Sequence, residues 1–531
     1  MTIENNLGIV TAGSLNKGIE VKLDGTASIE DMAVGRYVTI EGNKRRFFGM
    51  ITDVSLGVTD LNLTVSPPSG DDFLSEVLSG TSAYGSLHVA PYLTIGGTET
   101  AIDGPQPVKT IPSHFSTVKE ASSADIELVF GKEDKERFWI GNPLDMEVKL
   151  CLNLPELAKR SNGIFGKSGT GKTFLTRMLL IGLLQKSAAV NLVFDMHSEY
   201  GWAGTSEKKR QVKALKQLFP SKVAVFTLDE ENSRRRGVST DYVVKIGFEE
   251  IEPEDISLLR QTLNLTDQAV EAVYQLRKVL GKNWFVAAAR SESIEALSGD
   301  SGRPDSGLQS IHESTFQNLK RGLNTIQRLP FITANAPGDV VDRILAYLET
   351  GKHVVLEFGR YTDITAYILV ANMLTRRIYA RYRDQTEKAI AADSGYPKPL
   401  VITIEEAHKF LNPGVADQTI FGTIAREMRK YSVTLLIIDQ RPSGIDDEIM
   451  SQLGTKITCL LDSEKDIDAV LSGVSGKGEL KNVPYPCRWP LSRGNTDRVM
   501  ASGAKRPKRL VIRTLKTCGA DGHLNPLPLG Y

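Results

Sequence analysis

The hydrophobic pattern changes character once along this chain. Up to about residue 135 it is period two. Ile19, Val21 and Leu23 alternate with Glu20 and Lys22. Tyr37–Ile40 and Phe47–Val54 come next, across the turn Glu41-Gly42-Asn43, and Leu61, Leu63 and Val65 alternate again before Pro67-Pro68. Short alternating strands with turns at this spacing predict a small β-barrel. Ile126–Phe130 also reads as a strand, in a segment that links the barrel to the second half of the pattern. From the glycine-rich run Gly166–Thr173 onward the apolar runs become continuous: Val190–Asp195, Lys222–Leu228, His353–Phe358, Leu400–Ile404, Thr434–Ile438 and Lys456–Leu461. Such runs are buried on both faces, which predicts a largely parallel sheet covered by helices. Between about 250 and 335, Val270, Val273, Leu276 and Leu280 recur at helical spacing. A loop-like stretch, Ser298–Gly307, separates them from a second helical run, Ile311–Leu329.

The predicted organisation is an N-terminal barrel over residues 1–135, an α/β core over 136–250 and 336–500, a helical insertion over 251–335 and a C-terminal arm over 501–531. In a parallel sheet, ligands sit beyond the C-terminal strand ends, so the residues just after the strands carry the chemistry. The strongest of them is the run Gly166-Lys167-Ser168-Gly169-Thr170-Gly171-Lys172-Thr173. It stands between a short apolar strand and a helical run. Its glycines let backbone N–H groups close around a polyphosphate at a helix N-terminus, Lys172 reaches the β- and γ-phosphates, and Thr173 offers a hydroxyl to Mg²⁺. The expected cofactors are therefore ATP and Mg²⁺.

Leu400–Ile404 ends in Glu405-Glu406-Ala407-His408. Paired acids at the end of an apolar strand suit metal support and water activation beside a nucleotide, so Glu405 is assigned to the metal and Glu406 to the water. Asp195-Met196-His197-Ser198-Glu199-Tyr200 stands after another strand and reads equally as metal-shell acids or as a cap for the next segment. Gln440, after Thr434–Ile438, is placed to sense a γ-phosphate. A helix over Thr419–Tyr431 sets Ile420, Ile424, Met428 and Tyr431 against Arg426, Arg429 and Lys430. That basic face is either solvated or supplies an arginine finger to a neighbour, Arg429 or Arg426, with Arg160 as a second candidate.

Composition narrows this further. Acids and bases balance at 64 each, so no net charge announces a nucleic-acid partner. Basic residues cluster locally, at Lys208, Lys209 and Arg210 and again in the C-terminal arm. Facing a pore, the first cluster would bind phosphates without reading bases; a solvated charge run is the competing reading. The four cysteines are far apart, and the N-terminus lacks the basic and apolar regions of a signal peptide. A cytoplasmic location without membrane contact is the expectation.

GKSGTGKT, DMHSEYGW, ITIEEAHKF and IAREMRKYSVTLLIIDQRPSGID, in this order behind a small β-domain, resemble the HerA-type hexameric ATPases of the FtsK–HerA branch. In that family DPHGEY is common where this chain has Asp195–Tyr200. The resemblance implies a RecA-like core and a homohexamer with ATP between subunits. It also implies duplex DNA through the centre and a NurA-like nuclease or a phage-defence effector docked on the barrel. The function expected is an ATP-hydrolysing motor that translocates duplex DNA. The alternative is a scaffold ring that recruits and activates an effector without processive movement.

Overall fold

The computed structural model describes residues 6–59, 82–95, 104–143, 146, 148–205, 211–300, 307–334, 336–361, 363–427, 430–473, 487–488 and 509–510. The alternating segment at Leu61–Val65 lies outside them. Among the described residues no helix is long and apolar enough to cross a membrane.

The period-two region forms a closed barrel. Its strands are β1 (Asn6–Ser14), β2 (Gly18–Leu23), β3 (Tyr37–Glu41), β4 (Arg46–Val58), β5 (Ala83–Ile95), β6 (Gln106–Pro107) and β7 (Thr117–Glu120). The order β2-β1-β7-β3-β4-β5 closes through β2–β5 pairing, with β6 added on β5. Inward positions of the alternation, including Val10, Ile19, Val21, Ile40, Ile51 and Val89, make one apolar core. Closure removes the exposed edges of an open sheet.

Ile126–Phe130 is not a strand but part of helix α1 (Ser123–Phe130). Ser122 decides this. Its Oγ accepts from the Asp125 amide at 3.2 Å while the Asp125 carboxylate accepts from the Ser122 amide at 2.9 Å. This reciprocal cap starts a helix whose Ile126 and Val129, three residues apart, are buried. They join Tyr37, Phe48, Met50 and Leu471 in a cluster that packs the barrel on the core.

A hairpin of β8 (Arg137–Pro143) and β9 (Leu150–Asn153) precedes the main sheet. That sheet contains β10 (Asn162–Phe165), β11 (Val190–Asp195), β14 (Val223–Thr227), β15 (Tyr242–Val243), β18 (His353–Glu357), β19 (Leu400–Glu405), β20 (Val433–Asp439) and β21 (Thr455–Thr458). The order is β15-β14-β18-β11-β19-β20-β10-β21, every pairing parallel. All residues of β11, β19 and β20 are buried, as continuous apolar runs require. Two short strands, β12 (Ala203–Thr205) and β13 (Gln211–Lys213), form an antiparallel hairpin after β11. Lys208, Lys209 and Arg210 fall between them, outside the described residues.

The helical insertion leaves and rejoins the core where β16 (Ile246–Gly247) pairs with β17 (Ile332–Thr333). Its helices α3 (Asp267–Leu280), α4 (Trp284–Arg290) and α5 (Glu313–Gln327) bury Val273 and Leu276, Trp284 and Phe285, and Phe316 and Leu323 in the same core cluster as the sheet. The stretch Ser298–Gly307, expected as a loop, begins inside a helix (Ile294–Asp300). After β18, α6 (Ile364–Ala392) packs its buried face into that cluster as well.

The helix expected over Thr419–Tyr431 is shorter. Capped by Thr419, α7 spans Ile420–Arg426. The chain must turn before β20 opens at Val433, and Ser432 takes φ +56° to do so. Tyr431 is buried against the Tyr379 ring at 5.7 Å, off the helix, so among the described residues Ile420 and Ile424 keep the predicted shared face. Met428 and Arg429 lie outside the described residues. Of the C-terminal arm only β23 (Arg509–Leu510) is described. It pairs with β22 (Cys487–Arg488), which pairs with Asn142–Pro143 of β8 in the same chain.

Candidate nucleotide site

The loop after β10 stands at the C-terminal end of the sheet. Gly166 donates to the Asp439 carbonyl at 3.2 Å and Lys167 to the Leu460 carbonyl at 2.9 Å, which suspends the loop between β20 and β21. A Cβ on Gly166 would come within 2.6 Å of the Cys459 Cβ, so a larger residue would push the loop off its seat. Gly171, at φ +104°, is the N-cap of helix α2 (Lys172–Gln185) and takes a conformation that favours glycine. Lys167, Ser168 and Gly169 form an exposed crown. The Thr170 hydroxyl donates to the Lys167 carbonyl at 2.8 Å, and Lys167 pairs with Asp462. Lys172 and Thr173 open the helix, half-buried. The Lys172 ammonium donates to the Lys167 carbonyl at 2.8 Å and so spans the mouth of the loop. Burial holds its pKa below the ordinary lysine range, against the opposing pull of nearby Cys459, Glu406 and Asp439.

The paired acids close β19, with β20 lying between β19 and β10. Glu405 is buried. Tyr200 donates its hydroxyl to Glu405 Oε1 at 2.9 Å, while Oε2 is buried with no hydrogen-bond partner. Burial, and then the nearby Asp195, push the Glu405 carboxyl up to about 8. A buried carboxylate oxygen without a donor is the environment that a divalent cation satisfies, so Glu405 fits Mg²⁺. Glu406 takes φ +50°, a left-handed conformation costly for a residue with a Cβ and characteristic of functional positions. The turn brings Glu406 Oε1 within 3.1 Å of the Gln440 amide, which donates to it from the end of β20.

Three further residues of this site were not assigned roles by sequence reasoning. Asp439 accepts from the His408 amide at 2.7 Å and the Arg441 amide at 2.6 Å, and its Oδ2 lies 2.9 Å from His408 Nδ1. It thereby ties the acid pair, Gln440 and the loop suspended from its own carbonyl. Tyr367 donates its hydroxyl to the Glu405 carbonyl at 3.0 Å and accepts from the Glu405 amide at 3.1 Å. Tyr200 and Asp439 stand inside recognisable motifs, but no local pattern says which carboxylate or ring they meet.

Asp195 accepts from the amides of Glu199, Tyr200 and Gly201 at 2.8, 2.7 and 3.1 Å, so its carboxylate caps the turn after β11. The turn places Ser198 at φ +56°, where the DPHGEY form carries glycine. Ser198→Gly is expected to stabilise the fold by about 0.5–1 kcal/mol, the left-handed penalty less the added unfolded-state entropy. A melting temperature no higher than the parent's would refute this. Arg426 pairs with Asp417 at 2.6 Å and with Glu448 at 3.4 Å within its own chain. Arg160 lies at the start of β10, the end opposite the loop, with its side chain against Gly454.

A glycine-rich amide cradle with Lys and Thr at a helix start, facing paired carboxylates two strands away in a parallel sheet, defines a phosphate-loop ATPase with a RecA-like core. Residues 138–378 match the family model described as the helicase HerA central domain, and residues 7–100 match the HAS barrel domain. The two matches fall in this order along the chain, barrel before central domain. A protein of Pyrococcus furiosus named DNA double-strand break repair helicase HerA is 26% identical over 379 residues, 67% of this chain and 65% of that protein. The Sulfolobus acidocaldarius protein of the same name is 25% identical over 448 residues, 82% of this chain and 80% of that protein. Among solved structures, the conjugative coupling protein TrwBΔN70 in complex with sulphate aligns with TM-score 0.43 and 13% identity, over 76% of this chain and 95% of that one.

Proposed function

We propose that this ATPase works as a ring of six copies, with ATP bound between subunits, and drives duplex DNA through the centre. A nuclease of NurA type or a defence effector docks on the barrel face. The observation that carries the motor reading is the Gln440–Glu406 hydrogen bond at 3.1 Å, which joins the residue after β20, read here as the γ-phosphate sensor, to the residue after β19, read here as the base. The Pyrococcus and Sulfolobus relatives are called DNA repair helicases, which supports DNA as the track.

In this reading the loop amides of Gly166–Thr173 and the Lys172 ammonium bind the triphosphate. Thr173 and Glu405 hold Mg²⁺, which when bound neutralises phosphate charge and polarises the terminal phosphoryl group. Glu406 orients the attacking water and takes its proton. Gln440 donates to Glu406 and senses whether a γ-phosphate is present. Arg429 or Arg160 of a neighbouring copy supplies a guanidinium to the γ-phosphate. Arg160 precedes β10, at the end away from its own loop, which supports a role toward a neighbouring copy's nucleotide over one toward its own. Lys208, Lys209 and Arg210 meet DNA phosphates without reading bases.

Native mass with and without ATP and Mg²⁺ tests the ring, and a monomer under both conditions overturns it. DNA binding should fall steeply with salt, and replacing Lys208, Lys209 and Arg210 together by Ala should flatten the log–log slope by about 3 per copy engaged. An unchanged slope removes those residues from the track. Effector activity that survives intact in Lys172→Ala and Glu406→Gln rings favours the scaffold reading over the motor.

A further inference from the structure

Glu405 is held at three of its four polar atoms. Its amide and carbonyl both meet the Tyr367 hydroxyl, at 3.1 and 3.0 Å. Its Oε1 accepts from the Tyr200 hydroxyl at 2.9 Å. Oε2 alone is buried without a partner. A phenol has one O–H to give, so Tyr200 engages one carboxylate oxygen and leaves the other for a cation or for water held by one.

The position of Tyr200 is itself over-determined. Its ring is fully buried among Val193, Leu215 and their neighbours. Its amide donates to Asp195 Oδ2 at 2.7 Å, and its carbonyl accepts from the Leu215 amide at 3.0 Å. Arg177, on the helix that begins with Lys172, donates Nε to the carbonyl of Glu199, the residue before Tyr200, at 3.0 Å. The hydroxyl that aims Glu405 is therefore anchored to the helix that carries the phosphate loop.

We infer that Tyr200 is a positioning residue for the metal side of this ATPase: its hydroxyl fixes the rotation of the Glu405 carboxylate so that Oε2 supports Mg²⁺ bound with nucleotide. The inference rests on the ATPase reading and on Glu405 as the acid nearest the metal. It requires neither DNA nor a ring. Without the hydroxyl the carboxylate keeps its backbone clamp but loses its aim. Outer-shell partners of metal-supporting carboxylates typically contribute 10- to 100-fold in metal affinity or activity.

The test is titration of a fluorescent ADP analogue against Tyr200→Phe, with and without Mg²⁺ and without DNA. The substitution removes one oxygen from a buried ring. The expected result is metal-free affinity within about twofold of the parent and a 10- to 100-fold rise in the Mg²⁺ concentration at half effect. In a Glu405→Gln background the same substitution should add no further shift. An unchanged Mg²⁺ midpoint overturns the inference. So does a parallel loss of metal-free binding, the signature of general damage to the loop. Should Tyr200→Phe fail to fold, 3,5-difluorotyrosine at position 200 keeps the ring and makes the hydroxyl a stronger donor. A stronger donor keeps the carboxylate's aim, so the Mg²⁺ midpoint should stay near the parent's, and a rise of about 10-fold or more overturns the inference. Failure of the parent to turn over ATP would sink the ATPase reading itself, and that is read in a separate arm.

Discussion

Lys172→Ala should abolish measurable ATP turnover while leaving the fold intact. The ammonium is half-buried at the head of α2 and donates to the Lys167 carbonyl at 2.8 Å, a bond within the loop. Removing that bond should cost no more than about 1 kcal/mol of stability, the net worth of one such hydrogen bond. The effect on hydrolysis is far larger, because charge moves onto phosphate oxygens in the transition state and a preorganised donor cannot be replaced by water there. Loss of one such donor lowers kcat on the order of 10²- to 10³-fold. Steady-state turnover and a thermal melt separate the two effects. Turnover within about threefold of the parent, from a folded variant, would leave the phosphate loop without its assigned role.

Glu406→Gln should trap bound ATP. The amide matches the carboxylate in size, can still accept from Gln440, and asks nothing more of the left-handed backbone that Glu406 already adopts at φ +50°. It cannot take a proton from water. Loss of a positioned general base lowers rate on the order of 10²- to 10⁴-fold. ATP affinity should stay within a few-fold, because the loop amides and Lys172 are untouched. Single-turnover hydrolysis and equilibrium binding of ATP measure the two quantities independently. A kcat close to the parent's would shift the base to another residue, with His408 next in line through its contact with Asp439 at 2.9 Å. The pair of variants also distinguishes their sites: Lys172→Ala weakens binding and turnover together, whereas Glu406→Gln separates them.

Two elements depart from the pattern of apolar positions, for different reasons. Ile126–Phe130 resembles a strand because four apolar residues stand close together, yet the cap formed by Ser122 and Asp125, three residues apart, is legible in the residues and outweighs them. The helix that ends at Arg426 rather than Tyr431 has a non-local origin. Its chain has to be delivered to β20, and the start of β20 is set by pairing with β19, where Val433 meets Leu400.

The phosphate loop, the continuous buried strands and the acids at their ends were determined by the sequence alone. Glycine spacing, apolar continuity and a charged residue after a strand each act through neighbours a few positions away, so they survive without knowledge of the fold. The partners of Glu405 and Glu406 were decided only by tertiary structure. Tyr200 reaches Glu405 across 205 residues and His408 reaches Asp439 across 31, contacts that exist because β11, β19 and β20 lie side by side. Strand order comes from the global packing of helices on both faces of the sheet, and hydrophobic periodicity along one strand carries no record of which strand lies next to it.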